Sequence, residues 1–209
     1  MPMIPNTSGK FIVLEGLEGS GKSTQAKILA ESLPNSHLTH EPSDSIPGSL
    51  CREIISGKGN ITQSSLSLLL IADRIEHLNN YITPILKSGQ NIICDRYYLS
   101  NMAYQASMSL SDKDIYELNK KFGAISPDLT IFLEVTPQEA MERVNLRKGQ
   151  EGIFDNLKAL ERIDINYRQA IDFLISKGEK IVKIQAVNNI DDIAKEILHR
   201  ISVAFSFHA

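Results

Sequence analysis

Phe11-Ile12-Val13-Leu14-Glu15-Gly16-Leu17-Glu18-Gly19-Ser20-Gly21-Lys22-Ser23-Thr24 is the stretch whose reading decides the rest of the chain. Its four leading apolar residues, Phe11 to Leu14, form the kind of short run that makes a fully buried strand. Gly16 to Ser23 then match G-x-x-x-x-G-K-[ST] at every fixed position. Glycines let the backbone curl so that successive N–H groups point inward at an anion, and a helix beginning near Lys22 adds the positive end of its dipole. Lys22 can then reach β- and γ-phosphates, and the Ser23 hydroxyl can face Mg²⁺. The competing reading is a glycine-rich turn that binds nothing; strand, loop and helix signals in register argue against it.

Length and composition narrow the classes. With 209 residues and no linker rich in Pro, Gly or Ser, the chain reads as one domain, 1–209, with small mobile insertions. Lys+Arg 22 against Asp+Glu 25, a net charge of −3, argues against nucleic acid as a partner. Cys51 and Cys94 lack ligand-like spacing, as do His37, His40 and His77, so no zinc site is read and a reduced, cytoplasmic setting is expected. The opening MPMIPNTSG lacks the apolar core of a signal peptide and reads as a frayed lead-in. No apolar run approaches the ~18–20 residues needed to cross a bilayer, so no membrane partner is expected.

Outward from the loop, strands and helices alternate. Lys22 to Leu33 reads as a helix ended by Pro34, followed by an extended piece from His37 to His40. Glu41 to Gly48 reads as an exposed loop, Ser49 to Ile55 as a helix broken at Gly57-Lys58-Gly59-Asn60, and Thr62 as the cap of a long helix with a kink or new start at Pro84. Asn91 to Arg96 reads as a second buried strand, and the polar and aromatic residues after it receive no secondary structure. Ser111 to Phe122 is a helix, Leu129 to Val135 a strand, and Thr136-Pro137 opens a helix to about Arg147. A flexible break at 148–152, a helix from Phe154 to Ser176, a strand at 180–184 and a helix from about Ile190 to Val203 complete the pattern. Such alternation predicts a parallel sheet with helices on both faces, and ligands beyond the carboxyl ends of its strands, where Gly16, Glu41 and Asp95 fall. Asp95, at a strand end, is placed to hold Mg²⁺ through water.

A phosphate-binding loop alone does not separate a kinase from a switch or a motor. No N-K-x-D-type base-reading sequence occurs, which argues against a GTPase, and a motor would be longer. The middle third instead carries Arg52, Asp73-Arg74 and Asp95-Arg96, and arginine forks suit a second phosphate group because they bind it bidentately and stay charged. Taken alone, Asp73-Arg74 also fits an ordinary solvated pair on a helix.

At these residues a resemblance becomes specific. Glu41-Pro42-Ser43-Asp44, Ala72-Asp73-Arg74, Asp95-Arg96-Tyr97 with Ser100 and Ala103-Tyr104-Gln105, and Pro127-Asp128-Leu129 together resemble the thymidylate kinase family, from Phe11 to about Tyr167. The resemblance implies a three-layer P-loop NTPase fold with a central five-stranded parallel sheet, a small mobile lid at about 147–154, a homodimer, and transfer from ATP with Mg²⁺ to dTMP. By the same resemblance, residues 16–24 and Arg143 hold ATP. Glu18 lies near the sugar 3′-hydroxyl and the metal, and Ser23 and Asp95 serve the metal. Arg74 and Arg96 hold the acceptor phosphate, with Glu41, Pro42 and Arg52 beside them. Leu70, Ser100, Asn101, Tyr104 and Gln105 surround base and deoxyribose. Because Leu17, Glu18 and Ser20 supply no cation to the transferring group, Arg147 of the lid is expected to do so, and Lys22, Glu18, Arg96 and Arg147 are the expected catalytic set. Three positions depart from the family's pattern: His40 stands where Arg is common, Leu70 where a Phe stacks on thymine, and Ile153 where lids often carry an arginine. A kinase for another nucleoside monophosphate and a non-catalytic nucleotide-binding regulator are the alternatives.

Overall fold

A computed structural model describes residues 9–146 and 157–205. The lead-in, the expected lid at 147–154 and its Arg147 lie outside the described residues. Five strands, β1 (Phe11–Gly16), β2 (Ser36–His40), β3 (Asn91–Asp95), β4 (Leu129–Glu134) and β5 (Ile181–Gln185), form one sheet in the order β2-β3-β1-β4-β5. Every neighbouring pair is parallel. Phe11 to Leu14 are at most 1% exposed, because the central strand is covered on both faces and has no solvated side to alternate toward. The register sets Leu14 beside Asp95 and Gly16 beside Leu133, and His40 beside Asp95, so the ends of three strands meet at one edge of the sheet. The order of strands reverses about β1, which places a crevice at the end of that strand.

Two helical groups flank the sheet. Helix α1 (Lys22–Ser32) packs on α9 (Ile190–Phe205) and on β2 and β3. Helix α5 (Tyr98–Gln105) packs on α3 (Gln63–His77), α6 (Asp112–Lys121), α8 (Leu157–Ser176) and β1, while α7 (Pro137–Leu146) packs on α8. Tyr167 of α8 is fully buried, its ring 5.1 Å from that of Phe132 on β4.

Three boundaries differ from those expected. Helix α2 spans Ile46–Glu53, starting where a loop was expected, because the Ser45 hydroxyl accepts from the Gly48 N–H at 3.0 Å and Pro47 suits a first turn. Its turns widen into a π-helical turn, Ile54–Lys58, which carries the helix past its expected end at Ile55, and the helical path breaks at Gly57 as expected, where φ 84° and ψ 6° are not helical. Thr62 caps α3 as expected, accepting from the Ser65 N–H, and a π-helical turn, Leu78–Ile82, joins it to α4 (Thr83–Lys87) with Pro84 in its first turn. Helix α5 was not expected at all, since nothing near it in sequence caps it. Its cap is the carboxylate of Glu15, whose Oε1 accepts the N–H groups of Tyr97 at 2.8 Å and Ser100 at 3.1 Å.

Gly19 and Gly57 separate two costs of adding a side chain. Both have left-handed backbones, φ 83° and 84°, a conformation worth roughly 1–2 kcal/mol against a residue with Cβ. A Cβ at Gly19 would also lie 2.4 Å from the Ala140 carbonyl oxygen of α7, whereas at Gly57 it meets nothing within 4 Å. Gly19→Ala should therefore lose clearly more stability in urea denaturation than Gly57→Ala; equal losses would show that α7 yields freely.

Candidate active site

The phosphate loop forms as its spacing requires. Gly21 precedes α1, and Lys22, 5% exposed, folds back so that Nζ donates to the Leu17 carbonyl at 3.1 Å. Burial pushes the Lys22 pKa down to about 7, and nearby Arg96 pushes the same way, against the pull of Asp95, Glu15 and Glu18. Beside Lys22 in the first turn of the helix, Ser23 Oγ donates to Asp95 Oδ2 at the end of β3. The other carboxylate oxygen, Asp95 Oδ1, is buried and has no hydrogen-bond partner among the described residues. An orphaned acceptor beside a hydroxyl fits a hard cation such as Mg²⁺. No group of three or more His, Cys, Asp or Glu could cage a metal among the described residues, so phosphate oxygens and water would supply the remaining ligands.

Across from this loop, α3 contributes Leu70, Asp73, Arg74 and His77. Asp73 and Arg74 are 0% and 2% exposed, which removes the reading of a solvated pair. Asp73 accepts from the Ser43 N–H at 2.8 Å, the Ser43 hydroxyl at 2.5 Å and the Ser45 hydroxyl at 2.6 Å, so it holds the turn after Pro42. Arg74 donates to Glu41 Oε2 and, at 2.5 Å, to Asn119 Oδ1, and its guanidinium lies 4.8 Å from the Tyr97 ring. Burial alone would lower its pKa; Glu41, Tyr97 and Asp73 together outweigh that, and the group stays charged. Arg74 Nε is buried without a partner among the described residues. Arg52 points elsewhere, donating to the carbonyls of Pro42 at 2.8 Å and of Ser43 and pairing with Asp44 at 3.2 Å, so it braces the turn.

Arg96 follows β3 with φ 71°. Its Nη1 donates to Ser100 Oγ at 3.0 Å, and its guanidinium lies 5.0 Å from the Tyr104 ring. Burial disfavours the charge, but Tyr104, Tyr167, Asp95 and Glu15 more than offset it, and the pKa rises above that of a free arginine. Asn101 is steadied by donating to Ser67 Oγ at 3.0 Å.

Between these groups lies a cavity of about 450 Å³. It brings together Glu18, Gly19, Gly21, Lys22, Ser23 and Thr24 of the loop with Glu41, Pro42, Leu70, Arg74, Arg96, Ser100, Asn101, Tyr104 and Gln105. Gly16, Leu17 and Ser20 form the loop behind it, and Asp95 sits under Ser23. Arg52 and Arg143 are not among its lining residues; Arg143 donates to Ala186 O at 2.8 Å and reaches Gly19 O at 3.5 Å, tying α7 to the back of the loop. Sequence reasoning missed Ile55 and Tyr97, which also line the cavity, and two buried groups behind it, Glu15 and Tyr167. Tyr167 OH lies 2.9 Å from Ser100 Oγ and 3.4 Å from Arg96 Nη1. The signals for the last two were a carboxylate within an apolar strand and a tyrosine on a buried helix face, since each must find partners when buried.

A phosphate loop on the central strand of a parallel sheet, facing one buried and one half-buried arginine across one cleft, defines a P-loop NTPase fold with places for two anions. The thymidylate kinase family model matches residues 14–197. A protein of Pyrococcus horikoshii named "Probable thymidylate kinase" is 38% identical over 200 residues, covering 91% of this chain and 94% of its own length. One of the same name from Methanococcus vannielii is 35% identical over 192 residues, covering 92% and 93%. The "Thymidylate kinase" of Desulfotalea psychrophila is 31% identical over 201 residues, covering 94% and 96%. This chain belongs to the thymidylate kinase family.

The lowered pKa of Lys22 has a measurable counterpart. A polyphosphate bound in the loop favours the charged amine, raises its pKa and so takes up a proton at any pH above about 7. Calorimetric titration of a nucleoside triphosphate at pH 8 in two buffers of different ionisation enthalpy should show net uptake of up to about one proton per site. Release, or no exchange, would mean that Lys22 is already charged in the empty loop.

Proposed function

We infer that this chain transfers the γ-phosphoryl group of ATP to the 5′-phosphate of dTMP, giving ADP and dTDP. The observation that carries the reading is one cavity walled on one side by Lys22 of the phosphate loop and on the other by the charged guanidinium groups of the buried Arg74 and the half-buried Arg96. Phosphoryl transfer asks for positioning and charge stabilisation more than for covalent chemistry, and such a cavity offers both.

In this reading the loop amides and Lys22 bind the β- and γ-phosphates, while Glu18, beside them, faces the sugar 3′-hydroxyl. Ser23 and Asp95 would hold Mg²⁺, which would supply positive charge to offset that of the phosphates. Arg96 and the unpartnered Nε of Arg74 take the acceptor phosphate, and Glu41, through Arg74, fixes where that phosphate sits. Arg143 supports the ATP side from behind the loop, and Arg52 serves the acceptor side through the turn it braces. Leu70 and Tyr104 face base and deoxyribose, and Asn101 and Gln105 supply polar contacts. Arg147, in a lid at 147–154, brings the cation that the loop lacks and excludes water on closing. The unit is a single kinase domain that works as a homodimer in the cytoplasm. Among the described residues no helix is long and apolar enough to cross a membrane.

Lys22→Ala should remove most of kcat and leave the thermal transition in place; near-normal turnover would overturn the catalytic assignment of the loop.

Acceptor choice is tested by kcat/KM for dTMP, dUMP, dCMP, dGMP and UMP under one set of conditions. UMP should fail against the Tyr104 ring and dGMP on size, while dUMP, lacking one methyl, should be weaker by about 1–3 kcal/mol and not excluded. Leu70, 7% exposed in the cavity wall, gives up stacking of on the order of 1 kcal/mol relative to an aromatic ring. Leu70→Phe should accordingly lower KM for dTMP. If dCMP or dGMP outperformed dTMP, the thymine reading would fall and a kinase for another nucleoside monophosphate would stand.

A further inference from the structure

Glu15 is the last side chain of β1 before the phosphate loop, it is 0% exposed, and it is not among the residues lining the cavity. We propose that Glu15 is a positioning residue for the acceptor phosphate: it aims Arg96 through a hydrogen-bond relay that passes by way of Ser100 and Tyr167.

The relay has a definite direction. Glu15 Oε1 is filled by the Tyr97 and Ser100 N–H groups at 2.8 and 3.1 Å, which can only donate. These bonds fix the first turn of α5 directly after Arg96. On the other side the Arg96 N–H donates to Leu14 O at 3.0 Å, and the Cys94 thiol donates to Arg96 O at 3.1 Å. The left-handed backbone of Arg96, an unfavourable conformation for a residue with Cβ, is thus held from both sides.

Glu15 Oε2 receives Ser100 Oγ at 2.6 Å and Tyr167 OH at 3.2 Å. Ser100 has a single proton, and Arg96 Nη1, 3.0 Å from the same oxygen, has only protons to give. The Ser100 proton therefore points at Glu15 and its lone pairs at the guanidinium. Tyr167 follows the same rule: its oxygen lies 3.4 Å from Arg96 Nη1, and its proton has Glu15 Oε2 or Gly16 O, at 3.3 Å, to donate to. Two hydroxyls thus present oxygen to Arg96, Ser100 because the carboxylate takes its proton and Tyr167 because its proton has acceptors in Glu15, Gly16 O and Ser100 Oγ. The guanidinium is held in one orientation before any ligand arrives.

Glu15→Gln separates this role from that of a helix cap. The amide keeps Oε1 for the two backbone N–H groups but sets an NH₂ against Ser100 Oγ. Ser100 must then turn its proton away from residue 15, toward Tyr167 OH at 2.9 Å or toward the guanidinium, and the arrangement that set its lone pairs against Arg96 is lost. The proposal rests on Arg96 contacting the acceptor phosphate, so Arg96→Ala is measured alongside Glu15→Gln, Ser100→Ala and the double variant, all in the full chain. Initial rates are taken with dTMP and ATP varied in turn, together with thermal unfolding.

Glu15→Gln should lower kcat/KM for dTMP by roughly tenfold to a hundredfold, the scale of a misplaced reactive group. KM for ATP should change by less than about twofold, and the double variant should be no worse than Ser100→Ala, because both act through one relay. A loss of thermal stability with dTMP kinetics unchanged, an equal effect on both nucleotides, or additive losses would overturn the proposal. Should Glu15→Gln not fold, Ser100→Ala keeps the carboxylate and the backbone cap, and must show the dTMP-selective loss by itself. If Arg96→Ala leaves dTMP kinetics intact, the assignment of Arg96 fails and the relay with it. If Arg96→Ala is impaired and Glu15→Gln is not, the relay alone fails.

Discussion

Two guanidinium groups, Arg74 wholly and Arg96 partly withdrawn from water, set the terms for everything around them. A charge moved from water into a protein interior costs several kcal/mol unless other groups replace its hydration, and one left unmatched would lose its proton or unfold its surroundings. Arg74 is matched by Glu41, Asn119 and the face of Tyr97. Arg96 is matched by Ser100 and the face of Tyr104, with the Tyr167 hydroxyl in reach. The return is a field that a phosphate group meets with little water between, where an attraction of this kind is far stronger than at a surface. The partners of the arginines come from β1, α3, α5, α6, α8 and the turn after β2, so the cleft exists only when those elements are docked.

The parallel sheet makes that docking possible. Because β1, β2 and β3 run in the same direction, their carboxyl ends deliver the phosphate loop, Glu41 and Asp95-Arg96 to one edge. The loop itself is squeezed from behind by α7, through the approach of Ala140 to Gly19 and the bonds of Arg143. The phosphate loop and the arginines across from it are therefore braced against each other through the sheet and not through flexible connections.

What the sequence disclosed and what it concealed follow from the range of the interactions involved. The five strands, the phosphate loop and the cap at Thr62 were legible because each is decided within a few residues. Helix α5 was not, because the carboxylate that caps it stands 85 residues from Ser100 in sequence. Glu15 was passed over inside an apolar run, and Tyr167 was read as a core residue of α8, which it is, while its hydroxyl serves the cleft. Asp73 and Arg74 by themselves were indistinguishable from a solvated pair, since burial is decided by what packs above them. Arg52 was recognised as a phosphate-binding type of residue, but its guanidinium is committed to carbonyls that only the fold brings near.

Helix α3 presents Leu70, Asp73, Arg74 and His77 along one side, at the spacing that stacks side chains on a single helical face. The face proposed to meet the acceptor, the clamp on the neighbouring turn and the partner of Glu41 are thus written in eight consecutive codons, well away from residues 16–24, the loop proposed to take the triphosphate. Donor and acceptor recognition can accordingly be inherited separately. A descendant could acquire a taste for another base by exchanges confined to that one segment, with the phosphate loop and its metal site carried over unaltered.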